Sequence, residues 1–342
     1  MFFNESQLTE IRNAILQSHN ISIVVHRSPD GDALGSSLGL KHVLMALFSK
    51  QVSIIVPDAF PSALDYLPGS ESIVVFDSQQ ELTNEVLNAT DLLFCLDFNH
   101  PGRVGDLEEL LKQTAARCIG VMIDHHQQPE PFLTYIGSKT SASSTCEMVY
   151  QFCRSLGMQE VPNQEIAKCL YTGIMTDTGS FRFSATTPET HEIAASLLKA
   201  DIRHWEIHEH LFNQNSLTKL QMWGYALTSK LVVLPEFRTA FISLSADELE
   251  RFQYQEGDLE GLVNYALSVQ GMKMGVLMSE RKGKIRISFR STGSFSVNDF
   301  SRAHFEGGGH ENAAGGVFYG KLEDAISKLT AALPDFSDKL NA

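Results

Sequence analysis

The chain has 342 residues, of which 43% are hydrophobic and 20% are charged, so it can bury a core and is not a disordered protein. The length predicts about two domains. Because 41 acidic residues outnumber 27 basic ones, the formal net charge is −14, which excludes a generally basic nucleic-acid coat. An enzyme whose bound metal ions supply the positive charge is compatible with this composition.

The first 200 residues alternate short β-branched runs with helical patterns. The predicted strands are 21–26, 51–57, 72–76, 91–98 and 117–126, and the predicted helices include 32–48, 143–157, 163–175 and 188–200. Short apolar runs separated by helices favour a mostly parallel sheet with helices on both faces. In such sheets, functional groups cluster at the carboxyl ends of the strands.

The second part of the chain changes texture twice. Residues 201–229 are polar and aromatic without strand runs, which predicts a helical linker, and a strand pattern restarts in KLVVLPEF and continues to KIRISFRS. We therefore predict an α/β protein with a catalytic domain at 1–200, a linker at 201–229 and a smaller α/β domain with a mixed sheet at 230–342. The start lacks a basic signal region and no apolar run reaches 18 residues, which predicts a cytoplasmic protein without a membrane partner.

Acidic and imidazole side chains follow the ends of several apolar segments in the first domain. They are His26, Asp30 and Asp32 after the first strand, Asp97 after the run LLFCL, Asp124, His125 and His126 after GVMI, and Asp177 after YTGIM. A single carboxylate in such a place is usually a turn or a helix cap. Four convergent groups in one sheet would repel one another unless cations or protons intervened, so the set predicts a centre with two metal ions.

Five segments together resemble a known family. HRSPDGDALGSS, LDFNHPGRVG, IDHH and TDTGSFRF resemble, in this order, the four motifs of the DHH phosphoesterase superfamily. The late GGGHENAAGG resembles the signature of the C-terminal substrate-binding domain associated with that family. Nearly the whole chain is covered, and its length and domain order are most similar to the bacterial nanoRNase type, which acts on short oligoribonucleotides and phosphoadenosine phosphate. The same architecture has also been labelled exopolyphosphatase-related.

The resemblance implies two divalent ions, usually Mn²⁺, with Mg²⁺ or Co²⁺ as alternatives. It implies His26 and Asp30 as ligands of one ion, Asp32 and His125 as ligands of the other, Asp97 as the bridge between them and Asp177 as a further ligand. It also implies that His126 meets the phosphate or the leaving group and that Asp124 orients the histidines. A water activated between two such ions attacks phosphorus in line, so no side-chain nucleophile is required.

Substrate recognition is expected mainly from the second domain. The candidate residues are Gly308, Gly309 and His310 in a glycine-rich loop, Arg286 and Arg290 on one face of the strand KIRISFRS, and Arg103 in NHPGRVG on the catalytic side. Backbone amides of such a loop can cradle a phosphate, and a guanidinium binds phosphate through two hydrogen bonds. A plain turn and a solvated strand face are the structural alternatives.

Three functions remain open at the level of the sequence. The first is a metal-dependent phosphodiesterase that trims very short RNA and removes the 3′-phosphate of phosphoadenosine phosphate, with cyclic dinucleotides as a near variant. The second is an exopolyphosphatase or pyrophosphatase, which would need many Lys and Arg residues along its cleft. The third, a non-catalytic nucleotide-binding module, would require loss of a ligand position. We expect short RNA or a nucleotide as the partner, no long nucleic acid because the chain is acidic, and a homodimer by resemblance.

Overall fold

The computed structural model describes residues 2–341 and divides into two compact units. The first unit ends at Gln214 and the second begins at Asn215. Residues 215–342 contain 14 Lys and Arg against 15 Asp and Glu, so the second unit carries a net charge of −1 and the first carries −13. Within residues 2–341, no helix has the length and apolarity that a bilayer crossing requires.

The first unit contains a six-stranded sheet in which every neighbouring pair of strands is parallel. Its strands are β1 (Ile21–Val25), β2 (Val52–Val56), β3 (Val74–Val75), β4 (Leu92–Leu96), β5 (Ile119–Asp124) and β6 (Tyr135–Ser138), in the order β3-β2-β1-β4-β5-β6. The mostly parallel sheet is confirmed. Five of its strands match predicted runs, whereas β6 is an addition.

Helices cover both faces of this sheet, as predicted. They are α1 (Glu5–Gln17), α2 (Gly31–Phe48), α3 (Gln80–Ala89), α4 (Glu108–Ala115), α5 (Thr145–Ser155), α6 (Gln164–Asp177), α7 (Pro188–Leu198) and α8 (His204–Phe212). Successive side chains of a strand point to opposite faces, so Ile23 and Val25 join one apolar cluster and Val24 joins another. All three are fully buried.

The order of the strands reverses at β1. The chain moves from β1 to β2 on one side and returns to β4 on the other side, so the loops after β1 and β4 diverge. A crevice at the carboxyl ends of the strands is expected at such a switch point. His26 directly follows β1, and Asp97 directly follows β4.

Close packing of α2 against α6 is made possible by glycines spaced four residues apart on α2. A Cβ atom on Gly35 would lie 2.5 Å from the carbonyl oxygen of Cys169, and one on Gly31 would lie 2.5 Å from Oγ1 of Thr176. Any larger residue would therefore push the helices apart. Their contact brings the C-terminal end of α6, at Asp177, next to the N-terminal end of α2.

The second unit contains a six-stranded mixed sheet, as predicted. Its strands are β7 (Leu231–Leu234), β8 (Thr239–Leu244), β9 (Met274–Arg281), β10 (Lys284–Ser291), β11 (Glu306–His310) and β12 (Ala313–Phe318), in the order β11-β12-β10-β9-β8-β7. Only β8 and β9 pair in parallel. The helices are α9 (Leu217–Tyr225), α10 (Ala246–Arg251), α11 (Leu262–Leu267), α12 (Val297–His304), α13 (Leu322–Ala332) and α14 (Ser337–Asn341).

The glycine-rich segment differs from the predicted loop, because it forms the hairpin of β11 and β12. Gly307 pairs with Gly316, and Gly308 pairs with Gly315. A Cβ atom on Gly307 would lie 2.3 Å from Oγ of Ser301 in α12. Part of the glycine content thus serves the close approach of the hairpin to α12.

Candidate metal centre

Loops after three strands and the end of one helix converge at the switch point of the first sheet. Donor atoms of His26, Asp30 and Asp97 lie within 4.8 Å of one another, and so do those of Asp32, Asp97 and His125. Asp97 belongs to both groups. The arrangement therefore consists of two adjoining ligand clusters with one shared carboxylate.

His26 presents one ring nitrogen to these carboxylates. Its Nδ1 lies 2.8 Å from the backbone carbonyl of Arg27, and its Nε2 lies 3.3 Å from Oδ2 of Asp97 and 3.9 Å from Oδ1 of Asp30. A carbonyl accepts only from a protonated Nδ1, so the neutral ring directs the lone pair of Nε2 toward the carboxylates. Histidine ligands of metal ions are typically oriented in this way.

His125 repeats the same orientation in the second cluster. Its Nδ1 lies 3.2 Å from the carbonyl oxygen of Ala142. Its Nε2 lies 3.3 Å from Oδ2 of Asp177, 3.7 Å from Oδ1 of Asp97 and 3.8 Å from Oδ2 of Asp32. Asp177 is the last residue of α6, two residues beyond the helix predicted at 163–175.

The N-terminus of α5 fixes two of the carboxylates. The backbone amides of Thr145 and Cys146 donate to Asp32 over 2.6 and 2.8 Å, and the hydroxyl of Thr145 donates to Oδ1 of Asp97 over 2.9 Å. Amides at the start of a helix favour negative charge. Asp30 is held by its own role as the N-cap of α2, because it accepts from the amides of Asp32 and Ala33.

Several loop residues of the centre adopt left-handed backbone angles. Asp97 has a φ of 66° and Ser28, two residues after His26, has a φ of 56°. Such angles are uncommon outside glycine, although Asp adopts them more readily than most residues. Backbone of this kind persists where the surrounding structure fixes it, and it concentrates at functional sites.

Burial and mutual repulsion show that the carboxylates need positive charge. Burial, and then the charges of Asp32 and Asp30, hold the pKa of Asp97 well above its usual value. Burial also raises the pKa of Asp32. Burial alone would lower the pKa of His125, but the carboxylates led by Asp177 overcome it and raise this pKa to about 9. The carboxylates around His125 therefore favour a positive charge at this position, which either a proton or a metal cation can supply.

The donor set fits a pair of divalent ions. It combines four carboxylates with two imidazoles, which are hard and borderline ligands of the kind that Mn²⁺, Mg²⁺ and Zn²⁺ accept. Two clusters with a shared carboxylate match the arrangement of two-metal sites in phosphate-cleaving enzymes.

His126 and Asp124 form a separate pair beside the clusters. Asp124 lies 2.7 Å from Nδ1 of His126 through one oxygen and accepts from its backbone amide over 3.1 Å through the other. Burial, then the charge of His125 and then that of Arg103, lower the pKa of His126 well below its ordinary value. Since an ionised carboxylate only accepts, the neutral ring carries its proton on Nδ1 and an electron pair on Nε2.

Arg103 and Arg27 lie in the loops beside this centre. The sequence analysis named only Arg103 as a candidate site residue. Arg103 acts on the pKa of His126, and its carbonyl accepts from the amide of Arg27 over 2.9 Å. Arg27 itself lies 3.4 Å from Asp58. Its position directly after His26 was the available signal for Arg27.

The candidate residues of the second unit lie on the sheet. Arg286 and Arg290 occupy the half-exposed face of β10, which confirms that they share one face. Nη1 of Arg286 lies 3.8 Å from Glu256, and Nη1 of Arg290 donates to the carbonyl of Phe289. Gly308, Gly309 and His310 all lie in β11.

The sequence analysis did not name two residues, Asn298 and Thr145, that hold candidate site residues in place. Asn298, buried in α12, accepts from the amide of Gly309 over 2.9 Å. Thr145 binds both Asp32 and Asp97. For Thr145 a signal existed, because Ser144 and Glu147 have the serine-to-glutamate spacing of a helix N-terminus, and Ser144 does cap α5.

Comparisons with known proteins agree with this geometry. Residues 20–174 match the family model described as "DHH family, N-terminal domain", and residues 239–335 match the "DHHA1 domain". The bifunctional oligoribonuclease and PAP phosphatase NrnA of Thermus thermophilus is 31% identical over 92% of this chain and 89% of its own length.

Solved structures share the fold over nearly the whole chain. An exopolyphosphatase-related protein from Bacteroides fragilis is 36% identical, with a TM-score of 0.93 over 99% of this chain and 98% of its own. The exonuclease RecJ bound to manganese covers 99% of this chain and 96% of its own at 16% identity and a TM-score of 0.52, which is a likeness of fold.

The fold, the clustered carboxylates and imidazoles, and these relatives define a metal-dependent phosphoesterase. The chain belongs to the DHH family, and its residues 239–335 match the DHHA1 domain.

Proposed function

We propose that this phosphoesterase hydrolyses short oligoribonucleotides and the 3′-phosphate of 3′-phosphoadenosine 5′-phosphate. The observation that carries the proposal is the pair of ligand clusters that share Asp97, in a chain that covers 89% of a relative named for both activities. The second unit is nearly neutral, with a net charge of −1 against −13 for the first unit, so it repels an anionic substrate less.

The six candidate ligands divide between two ions in this proposal. His26 and Asp30 hold one ion, Asp32 and His125 hold the other, Asp97 is shared, and Asp177 completes the second cluster. We expect Mn²⁺ first, with Mg²⁺ or Co²⁺ as alternatives. Bound divalent ions lower the pKa of water and neutralise charge on phosphoryl oxygens.

His126 and Asp124 provide the proton transfer in this proposal. His126 starts with an electron pair on Nε2, so it takes up a proton there from solvent before it delivers that proton to the leaving oxygen. Asp124 keeps Nδ1 protonated and stabilises the imidazolium that forms. A positioned histidine of this kind contributes about 10²–10⁴-fold to a rate.

The substrate phosphates are recognised mainly by cationic groups and amides of the second unit. Arg290 is the preferred anchor, Arg286 lies on the same strand face, and His310 with Gly308 and Gly309 lies on the edge strand. Arg103 contacts phosphate from the catalytic side. Neutral backbone amides and few cations suit one or two phosphates better than a long polyanion, which the acidic first unit would repel.

A polyphosphate substrate is the second candidate, because the similar Bacteroides fragilis protein is described as exopolyphosphatase-related. Such a substrate has no base and presents a high density of charge. It would need a cleft lined with many cations, whereas the candidate residues offer three arginines. A cyclic dinucleotide remains a variant within the first class.

We also propose that the protein is cytoplasmic and forms a homodimer.

One parallel assay tests these assignments. The Mn²⁺-loaded protein is incubated with a labelled RNA dinucleotide, phosphoadenosine phosphate, cyclic di-AMP and polyphosphate. We expect turnover of the first two to exceed that of the others. Polyphosphate turnover far above the rest would refute the proposed substrate class.

A further inference from the structure

A pocket of about 360 Å³ lies at the open end of the β11–β12 hairpin in the second unit. Its lining includes Arg302, His304, Phe305, Glu306, Phe318, Tyr319 and Lys328. The volume falls in the range of roughly 300–1,000 Å³ that small-molecule sites occupy. From Glu306 to His310 the strand rises by about 13 Å, so this pocket is separate from the turn end of the hairpin.

Basic groups outnumber acidic groups in the pocket, in a protein where the reverse holds overall. The lining contains Arg302, His304 and Lys328 but only one carboxylate, that of Glu306. Among residues 2–341, neither Arg302 nor Lys328 is within ion-pair distance of a carboxylate. The last turn of α12 favours positive charge at its own residues, but it does not explain why Lys328 of α13 converges on the same place.

Aromatic rings form the other part of the lining. Nζ of Lys328 lies 5.5 Å from the ring centre of Phe305 and 5.6 Å from that of Phe318. Tyr319 is 65% exposed, which is unusual for a ring that could pack on its neighbours. A planar base can stack on an exposed ring while its phosphate contacts the cations, and the pocket offers both kinds of contact.

Asn298 links the pocket to the glycine strand. Its Oδ1 accepts from the amide of Gly309 over 2.9 Å and from Nε of Arg302 over 3.1 Å. Arg302 therefore has a fixed orientation, and its terminal nitrogens form no hydrogen bond within the described part of the chain. The side chain passes close to Gly308, since a Cβ atom there would lie 3.4 Å from Nη2 of Arg302.

We propose that this pocket is a second nucleotide subsite, which holds a further nucleotide of an oligonucleotide whose first phosphate is bound at the turn end of the hairpin. Arg302 and Lys328 contact its phosphate, and Tyr319 stacks on its base. This inference rests on the proposed function. It predicts tighter binding of an oligonucleotide that is long enough to reach this pocket.

Length-resolved kinetics test the subsite. Arg302→Ala, Tyr319→Ala and the control Lys321→Ala, which removes an exposed cation outside the pocket, are compared on phosphoadenosine phosphate and on RNAs of increasing length. We expect the first two variants to raise KM for a tetranucleotide about tenfold, as loss of one stacked base or phosphate contact does. Turnover of phosphoadenosine phosphate and of a dinucleotide stays unchanged in all three.

Calorimetric binding to the metal-free protein separates the two proposals. If the wild type hydrolyses none of these substrates, the proposed function fails, yet weaker binding of 5′-phosphorylated tetra-adenylate to Arg302→Ala would still support the subsite. The subsite is refuted if this variant binds and hydrolyses the tetranucleotide like the wild type. It is also refuted if phosphoadenosine phosphate loses as much affinity as the tetranucleotide.

Discussion

Asp97 shows how much of the centre depends on one side chain. It is buried, belongs to both ligand clusters and has left-handed backbone angles. Asn tolerates these angles better than Ala and has almost the same shape as Asp. The exchange of Asp97 for Asn therefore tests the charge of this residue with little change in the backbone.

We expect Asp97→Asn to lower kcat by about 10³-fold on every substrate, because a shared ligand supports both ions. Arg290→Ala should instead raise KM about tenfold and leave kcat nearly unchanged, because it removes a phosphate contact made in the ground state. Steady-state kinetics on the dinucleotide and on phosphoadenosine phosphate check both. Equal and complete loss in the two variants would contradict this division between chemistry and recognition.

Asp124→Asn should lower kcat by about 10²-fold while KM and the bound metal remain. Asp124 accepts two hydrogen bonds from His126, and an amide has only one oxygen to offer. It also lacks the charge that stabilises the imidazolium. Kinetics together with metal analysis by mass spectrometry check this, with the exposed Asp106→Asn as control. Loss of metal from the variant would show that Asp124 supports the ions directly.

At the scale of the elements, the contact of α2 with α6 sets the distance between ligands from different parts of the chain. Asp32 lies in the first turn of α2, and Asp177 ends α6. Gly35 faces the backbone of Cys169, whereas Gly39 faces the flexible side chain of Leu170. The two glycines therefore tolerate an added methyl group differently.

Gly35→Ala should destabilise the protein by about 1–3 kcal/mol and weaken Mn²⁺ binding, because backbone at 2.5 Å cannot move aside without separating the helices. Gly39→Ala should cost less, since Leu170 can change rotamer. Denaturant unfolding and a Mn²⁺ titration of both variants check the difference. Similar losses in the two would mean that the helix contact does not control the site.

Periodicity predicted the elements that bury apolar side chains and missed those that do not. The runs before His26, Asp97 and Asp124 are β-branched or apolar, so their strands and the residues after them were predictable. The hairpin strands around Gly308 contain five glycines among eleven residues, and glycine has a low strand propensity. Asn298 and Arg302 could not be predicted for the same reason, because their proposed roles depend on contacts with that hairpin.

At the scale of the whole molecule, acidic charge concentrates in the first unit, which also contains the buried carboxylates of Asp32 and Asp97. Without ions, protons on Asp97 and His125 relieve the repulsion. For both residues, the folded state holds its proton more tightly than the unfolded state, so the stability gained is present at low pH and is lost as the pH rises. His126, whose pKa is lowered, acts in the opposite sense, but only as the pH falls below 6.5.

The metal-free protein should therefore lose stability as the pH rises from 6.5 to about 9, the interval over which His125 titrates. Thermal melting of chelator-treated protein across this interval checks the expectation. In metal-free Asp97→Asn, the melting temperature should fall less over this interval. The substitution removes one of the carboxylates that repel one another and raise the pKa of His125. A melting temperature that rises with pH in the wild type would contradict it.

The packing of α2 against α6 has a further consequence for how ions enter the protein. The contact of the two helices along the glycines of α2, together with the capped N-terminus of α5, holds the ligand atoms within a few ångströms of one another. Capture of the ions then requires little ordering of the backbone, so its entropic cost is low. Chelation should empty such a preorganised site and leave the fold intact, in contrast to small zinc domains that unfold when they lose their ion.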